Sequence, residues 1–280
     1  MQDKIIHILK LLNDPDKNIS KIAKQELKKI ENIEQQLQYI LTDKNIHTLP
    51  IDKDGIRNLL TEVIFEKAYN FFSEWKNNSE VSLLKPLFWI AKIKYPLLQY
   101  YEIEQKIDNL DKIIEVDTKN LTPIEKLLSV NTILYKNLKL QSIYGLRKAD
   151  DFMINKVLET GYSGMSMTAA FYTIIADKKE LNLTLFKGSE NLAMAYVKYG
   201  INHREPRIYF FINPYYKGTI SNYDNFMRLL EQEKLNHKTF FKILSNLDII
   251  KRIVSDIKRI LQNRESLLYN YYEKIFKLLY

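Results

Sequence analysis

The sequence predicts a mostly helical α+β fold, and three observations support that prediction. The 280 residues include only 7 Gly and 7 Pro, too few for the many tight turns of a sandwich, barrel or propeller. Apolar residues recur at helical spacing through most of the chain. Short runs rich in β-branched and aromatic residues occur beyond residue 150. We therefore expect helices flanking one small antiparallel sheet.

Residues 1–115 are expected to form a helical N-terminal domain. A turn at residues 13–15 precedes apolar side chains at helical spacing over residues 19–30, which is the pattern of one HEAT-type repeat unit. The sequence contains no second copy at the usual repeat period, so it predicts a HEAT-like region rather than a solenoid. Apolar periodicity over residues 56–75 predicts another long helix.

The next segment contains a clear helix start. Residues 111–121 have the composition of a connector, and Thr122, Pro123 and Glu125 then supply a cap, a first-turn proline and a first-turn acid. These residues predict a helix that runs to about Lys139.

Three strands are predicted in the second half of the chain. The runs LTLFKG (183–188), LAMAYVKY (192–199) and RIYFFINPY (207–215) are bounded by Gly, Asn or Pro. Helical spacing returns after them. We expect residues 116–235 to form the core domain and residues 236–280 to form helices packed on that core.

The C-terminal segment is both basic and amphipathic. Ile249, Ile253, Ile257 and Ile260 form one apolar stripe, while Lys and Arg side chains lie elsewhere on the helix. Such a stripe usually docks on the protein's own core, although a basic amphipathic helix can also bind a membrane surface or an acidic partner. The sequence leaves both interpretations open.

Composition excludes several kinds of site. The chain has no Cys, which rules out disulfides, thiolate metal sites and a cysteine nucleophile. His7 and His47 share no metal-ligand spacing with other His or carboxylate positions, and the sequence has no Gly-rich phosphate loop. We therefore predict no metal and no cofactor.

The charge pattern argues against a nucleic-acid partner. The net charge is +8, and the surplus lies in residues 116–280, which hold 25 basic and 16 acidic side chains. Lys outnumbers Arg 34 to 8, whereas recognition of bases and phosphates favours the arginine fork. No apolar stretch has the length of a membrane span or a signal peptide. We expect a cytoplasmic protein.

Residues 150–218 hold a recognisable order of elements. A helix is followed by the loop GYSGMS, by the helix MTAAFYTIIADKKEL, and by strands that contain LTLFKG, NLAMAYV and IYFFINPYYKG. This order resembles the transglutaminase-like superfamily, and in particular its bacterial SirB-type branch. The resemblance covers about residues 1–260. It implies a papain-like core whose catalytic groups come from a buried helix and two strands.

The resemblance also implies where a catalytic triad would lie. The superfamily places a nucleophile at the N-terminus of the buried helix, a His on the strand after next and an Asp on the adjacent strand. Those positions match Met167, Asn191 and Asn213 here. A thioether is no nucleophile of this kind, and asparagine has neither a proton to exchange near neutral pH nor a charge to stabilise an imidazolium. The resemblance therefore predicts a pseudoenzyme with a degenerate triad.

Serines and methionines near this helix offer alternatives. Ser163 and Ser166 could serve as nucleophiles of a relocated site, but serine just before a helix most often caps it, and we expect capping at both. Met165, Met167 and Met194 surround the vacated site that the resemblance implies. We expect them to fill it by core packing, with a Met-lined peptide groove as the alternative.

Three functional hypotheses follow. The first is a catalytically inactive SirB-type protein that acts as a protein-binding or structural module, with an unidentified protein partner. The second is a hydrolase or acyl-transfer enzyme with a relocated site based on Ser166. The third is a helical scaffold that binds a partner through residues 1–115. The sequence predicts no oligomeric state.

Overall fold

A computed structural model of the chain describes residues 2–43, 52–79, 82–114, 120–187, 192–199, 206–232, 242–262 and 266–280. The chain forms two compact units. Unit 1 comprises Met1–Phe71 and Lys92–Leu98, and unit 2 comprises Phe72–Ala91 and Gln99–Tyr280. The domain boundaries expected at residues 115 and 235 stay predictions.

Unit 1 is helical in its described residues. Its helices are α1 (Gln2–Lys10), α2 (Lys17–Lys28), α3 (Ile33–Thr42) and most of α4 (Lys53–Trp75). Helix α2 begins at the expected turn, because the Asp16 carboxylate accepts a 2.8 Å hydrogen bond from the backbone N–H of Asn18. Apolar side chains from every helix are buried, including Leu9, Leu27, Leu37 and Leu60. The HEAT-like character of this region stays a prediction.

Unit 2 contains most of the remaining helices. They are α5 (Leu84–Lys94, whose last three residues belong to unit 1), α6 (Tyr100–Lys112), α7 (Pro123–Asn131), α8 (Ile154–Thr160), α9 (Met165–Lys178), α10 (Tyr223–Gln232), α11 (Asn246–Leu261) and α12 (Ser266–Leu279). The predicted start of α7 is confirmed, because the side chains of Thr122 and Glu125 each bond the other's backbone N–H. The helix does not stay α-helical to Lys139, because a π-helical segment replaces it over Thr132–Asn137.

The sheets confirm the three predicted strands and add three short ones. Strands β1 (Gln141–Ile143) and β2 (Tyr162–Gly164) form a parallel pair. Strands β3 (Leu183–Lys187), β4 (Leu192–Tyr199), β5 (Pro206–Asn213) and β6 (Thr219–Ser221) form an antiparallel sheet in that order. Phe211 of β5 stacks on Phe226 of α10 with ring centroids 3.7 Å apart. The small antiparallel sheet of the expected α+β fold is therefore present.

Helix α9 is the central element of unit 2. Every residue from Ser166 to Ala176 is buried, as expected of a helix surrounded by protein on all sides. It contacts β3 and β4 of the sheet and also α11. The apolar stripe of α11, with Ile249, Ile253 and Ile257, is buried as well. This packing favours the first interpretation of the C-terminal segment, in which its stripe docks on the protein's own core.

None of the described helices combines the length and the apolar character needed to cross a membrane.

Candidate functional site

A cleft of about 480 Å³ lies in unit 2, where the first turn of α9 meets α11. Its volume falls in the range of small-ligand sites. Residues from six segments line it: Gly145, Leu146, Phe152, Met165, Ser166, Leu192, Tyr215, Arg252, Asp256 and Arg259. The two arginines are exposed, whereas Ser166 and Asp256 are buried. The cleft therefore has a cationic edge above a buried polar pair.

Two glycines set the position of the first turn of α9. Gly161 ends α8 in the left-handed region, at φ 73°, where a side chain would be strained. Gly164 then precedes α9 in an extended conformation, and a Cβ added there would overlap the ring of Phe152. Because this position has no side chain, the start of α9 lies directly against Phe152 in the wall of the cleft.

Ser166 and Asp256 form the polar pair. The Ser166 hydroxyl donates to Oδ2 of Asp256 over 2.8 Å, and the two residues are only 4% and 5% exposed. The Arg252 Nε lies 3.5 Å from the other carboxylate oxygen. Burial raises the pKa of the Asp256 carboxyl, and the Ser166 hydrogen bond and the charges of Arg252 and Arg259 only partly offset that rise.

Tyr215 is held at the cleft by hydrogen bonds at both ends. Its backbone N–H donates to Oδ1 of Asn213 over 3.0 Å, and its hydroxyl accepts a 3.0 Å hydrogen bond from the backbone N–H of Leu192. The preceding carbonyl, that of Pro214, accepts a 2.6 Å hydrogen bond from the Tyr135 hydroxyl. These bonds fix the turn after β5 and with it the position of the Tyr215 ring.

A second set of bonds fixes the far end of the same turn. The buried Tyr172 hydroxyl donates to Oδ1 of Asn131 over 2.6 Å, and Nδ2 of Asn131 donates to the Gly218 carbonyl over 3.1 Å. Gly218 has φ 66°, and a Cβ there would overlap the Asn131 side chain. The turn is thus bound to α7 and α9, which are both central to unit 2.

Of the five predicted site residues, four lie within the described part of the chain. Ser166 lines the cleft, whereas Met167, Asn213 and Ser163 do not. Met167 is fully buried in α9, and Asn213 ends β5 with its amide oxygen bound to the Tyr215 N–H. Asn191 lies outside the described residues. The structure therefore brings one predicted candidate to the cleft.

The expectation that both serines cap α9 is wrong. The N-cap is Gly164, and no side chain bonds the first N–H groups of the helix. Ser163 lies in β2, where its buried hydroxyl donates to the Gly164 carbonyl over 3.2 Å. Ser166 lies inside the helix and donates to Asp256. Ser163 precedes the N-cap and Ser166 follows it, so neither hydroxyl occupies the position from which a side chain caps α9.

The three methionines are divided between cleft and core. Met165 lines the cleft, while Met167 and Met194 are fully buried. Met194 lies in β4 opposite Ile212 of β5. Core packing therefore accounts for Met167 and Met194. Met165 is the one methionine among the lining residues, so the cleft is not a Met-lined groove.

Sequence reasoning missed Arg252, Asp256, Arg259 and Tyr215. The first three are spaced at i, i+4 and i+7, which places them on one face of α11. Asp256 also lies between the buried residues Val254 and Ile257. A charged residue at a position expected to be buried is the signal that could have identified it as a site residue. Tyr215 lies at the end of the predicted strand 207–215, and nothing in that pattern marks it as a site residue.

The lining residues limit the chemistry of the cleft. None of them is a histidine, so within the described lining a carboxylate is the only base beside the Ser166 hydroxyl. Among the described residues, no three His, Asp or Glu side chains form a group that could hold a metal ion. The donors are more numerous, since two arginines and Tyr215 line the same space.

Comparison with known proteins gives a family for this chain. The family profile described as transglutaminase-like superfamily matches residues 101–255, which is more than half of the chain. The matched range contains all the lining residues except Asp256 and Arg259. No curated protein and no solved structure matches the chain significantly.

Proposed function

Because the chain belongs to the transglutaminase-like superfamily, we propose that it is a non-catalytic member of the SirB type, whose cleft binds a partner protein instead of transferring acyl groups. Three features support the proposal: the polar pair in the cleft, the state of the predicted triad positions, and the open cationic edge.

The observation that carries the proposal is the direct pairing of Ser166 with Asp256. Acyl transfer by a serine needs a base whose pKa lies near the working pH, and histidine, with an ordinary pKa of about 6.5, supplies it in most such sites. A carboxylate is a far weaker base. Burial raises the pKa of Asp256 above that of an exposed carboxyl, but the nearby charges of Arg252 and Arg259 oppose that rise and so limit its strength as a proton acceptor.

The predicted triad positions are consistent with this view. Met167 offers a thioether with no access to solvent, and the amide oxygen of Asn213 is already bound to the Tyr215 N–H. Neither group can attack a carbonyl or exchange a proton near neutral pH. The absence of Cys from the sequence removes the nucleophile that the resemblance implies for other members.

The cleft favours binding over a purely structural role. A filled site would leave no space beside the first turn of α9, whereas here about 480 Å³ stays open under two exposed arginines. Exposed charge at the edge of a concave site is an arrangement typical of recognition. The space suits a side chain or a chain end of a partner protein.

Turnover assays test the proposal. The full chain would be assayed for amine incorporation into a glutamine peptide and for cleavage of unfolded protein substrates, beside the Ser166→Ala and Asn191→Ala variants. We expect no turnover above that of the variants. Turnover by the wild-type chain that either substitution abolishes would refute the proposal.

A second candidate function is a hydrolase based on Ser166, and one observation favours it. The Ser166 hydroxyl lies in the cleft and donates to a carboxylate whose pKa burial raises, so that carboxylate is a stronger base than an exposed one. A fluorophosphonate probe tests this candidate. Labelling mapped to the peptide that contains Ser166, and lost in Ser166→Ala, would support the hydrolase over the binding protein.

A further inference from the structure

We propose that the cleft binds a peptide carboxylate with an adjacent apolar side chain, held by Arg259, Arg252 and the Tyr215 hydroxyl. This inference rests on the proposed function, because it names the ligand of the same cleft. The C-terminal carboxylate of a partner protein, next to its last side chain, supplies such a group.

The lining of the cleft carries a net positive charge. Arg252, Asp256 and Arg259 are its three charged side chains, so the lining has one positive charge in excess. Arg252 pairs with Asp256 through Nε at 3.5 Å. Arg259 pairs with no carboxylate among the described residues, although its charge acts on Asp256 through space. An anion in the cleft would therefore meet an exposed and uncompensated guanidinium group.

Asp256 does not oppose such an anion strongly. Its two oxygens are directed to the Ser166 hydroxyl and to Arg252, and it is only 5% exposed. The pair formed with Arg252 is nearly neutral as seen from the cleft. Arg259 is then the main attraction for an incoming anion, and Arg252 adds a second positive charge at the edge of the cleft.

Tyr215 supplies a neutral donor in the same space. Its hydroxyl oxygen accepts from the Leu192 N–H, and its own O–H donates to no acceptor among the described residues. Tyr215 is half-buried and cannot leave the cleft, since the bonds of Asn213 and Tyr135 fix the turn. A fixed O–H beside two guanidinium groups matches an oxyanion, which accepts several hydrogen bonds at once.

An aromatic pair beside the cleft distinguishes a peptide carboxylate from a bare ion. Tyr144 and Tyr216 are 51% and 61% exposed, and their ring centroids lie 6.4 Å apart. Each directly adjoins a lining residue in the chain, Gly145 and Tyr215 respectively. Exposed aromatic rings next to a cationic site favour a ligand with an apolar group close to its charge.

Isothermal titration calorimetry of the full chain tests this inference with matched probes. The probes are N-acetylphenylalanine, its neutral amide N-acetylphenylalaninamide, and inorganic phosphate. We expect the carboxylate probe to bind at least about tenfold more tightly than the amide, because a charge-assisted hydrogen bond contributes that much. Phosphate should bind more weakly than the carboxylate probe, since it has no group for the aromatic pair.

Variants make the test specific. Arg259→Gln should weaken binding of the carboxylate probe about tenfold and leave binding of the amide unchanged. Arg228→Gln is the control, because Arg228 is exposed on α10 and does not line the cleft. Circular dichroism would confirm that the variants fold. Tyr216→Ala should lower affinity for N-acetylphenylalanine and not for phosphate.

Three results would overturn the inference: equal affinity for acid and amide, no effect of Arg259→Gln, or tighter binding of phosphate than of the carboxylate probe. The experiments also distinguish failure of this inference from failure of the proposed function. A chain that neither binds the carboxylate probe nor turns over substrate contradicts the ligand assignment alone. Turnover that depends on Ser166 contradicts the non-catalytic assignment, whatever the probes do.

Discussion

The Ser166 hydroxyl donates a 2.8 Å hydrogen bond to Oδ2 of Asp256, a residue 90 positions later in the chain. This bond joins the first turn of the central helix α9 to helix α11, and both partners are buried. A buried carboxylate is stable only when its oxygens have partners. The pair therefore contributes both to the stability of unit 2 and to the polarity of the cleft.

Ser166→Ala should destabilise the chain by about 1–3 kcal/mol, because Asp256 loses its hydrogen-bond donor while it stays buried. Urea unfolding at neutral pH measures the loss. Ser255→Ala is the matched control, since Ser255 is the half-buried neighbour of Asp256 on α11, and that change should cost less than about 0.5 kcal/mol. Equal effects of the two substitutions would show that the bond to Asp256 contributes nothing.

The Asp256→Asn variant should gain stability relative to the wild-type chain as the pH rises. Burial raises the pKa of Asp256 in the folded state above its value in the unfolded chain. The folded state then holds its proton to higher pH, so this group's contribution to stability is lost as the pH rises through the folded pKa. Asparagine does not titrate and is spared that loss.

Urea unfolding of both proteins at several values between about pH 4 and 7 checks this pH dependence. The free energy of unfolding of Asp256→Asn minus that of the wild-type chain should increase with pH until the folded Asp256 has ionised, and then level off. Asp224→Asn, an exposed position at the start of α10, is the control and should show no such trend. A difference that falls with rising pH would mean that the arginines outweigh burial.

Gly164→Ala should destabilise the chain by about 1–3 kcal/mol, because a Cβ at this position overlaps the Phe152 ring. Thermal or urea unfolding measures the effect. In a Phe152→Leu background, which removes the ring, the same Gly164→Ala change should cost less. If the cost is the same in both backgrounds, the close approach of α9 to Phe152 is not its cause.

Asn131→Ala and Tyr172→Phe should show strong coupling in a double-mutant cycle. Asn131→Ala leaves the buried Tyr172 hydroxyl without its acceptor and should cost about 1–3 kcal/mol. The double variant should be more stable than the sum of the single effects predicts, by at least about 0.5 kcal/mol. Additive losses would indicate that the 2.6 Å contact carries no energy of its own.

Sequence patterns predicted the long elements well. Runs of β-branched and aromatic residues with Gly, Asn or Pro boundaries placed the strands at 183–188, 192–199 and 207–215, close to the observed β3, β4 and β5. The cap at Thr122 was also predicted from neighbouring residues alone, and the structure contains it. Strands β1, β2 and β6 have three residues each, and pairing partners elsewhere in the chain define them, so no local pattern indicates them.

The site was less predictable, because its residues meet only through tertiary packing. Ser166 was singled out as a candidate, but its partner Asp256 comes from a helix for which the sequence indicated only an apolar stripe and basic side chains. The expected capping failed for a specific reason: the turn before α9 needs Gly164 at the cap, where Phe152 leaves no room for a side chain. That constraint is steric and non-local.

The most direct test of the central claim is a single-turnover measurement with the full chain in molar excess over p-nitrophenyl acetate. Release of p-nitrophenolate would be followed by absorbance for the wild-type chain and for Ser166→Ala. The proposal predicts identical, slow traces, because no group in the cleft is acylated. A rapid, stoichiometric release in the wild-type chain that Ser166→Ala abolishes would contradict it.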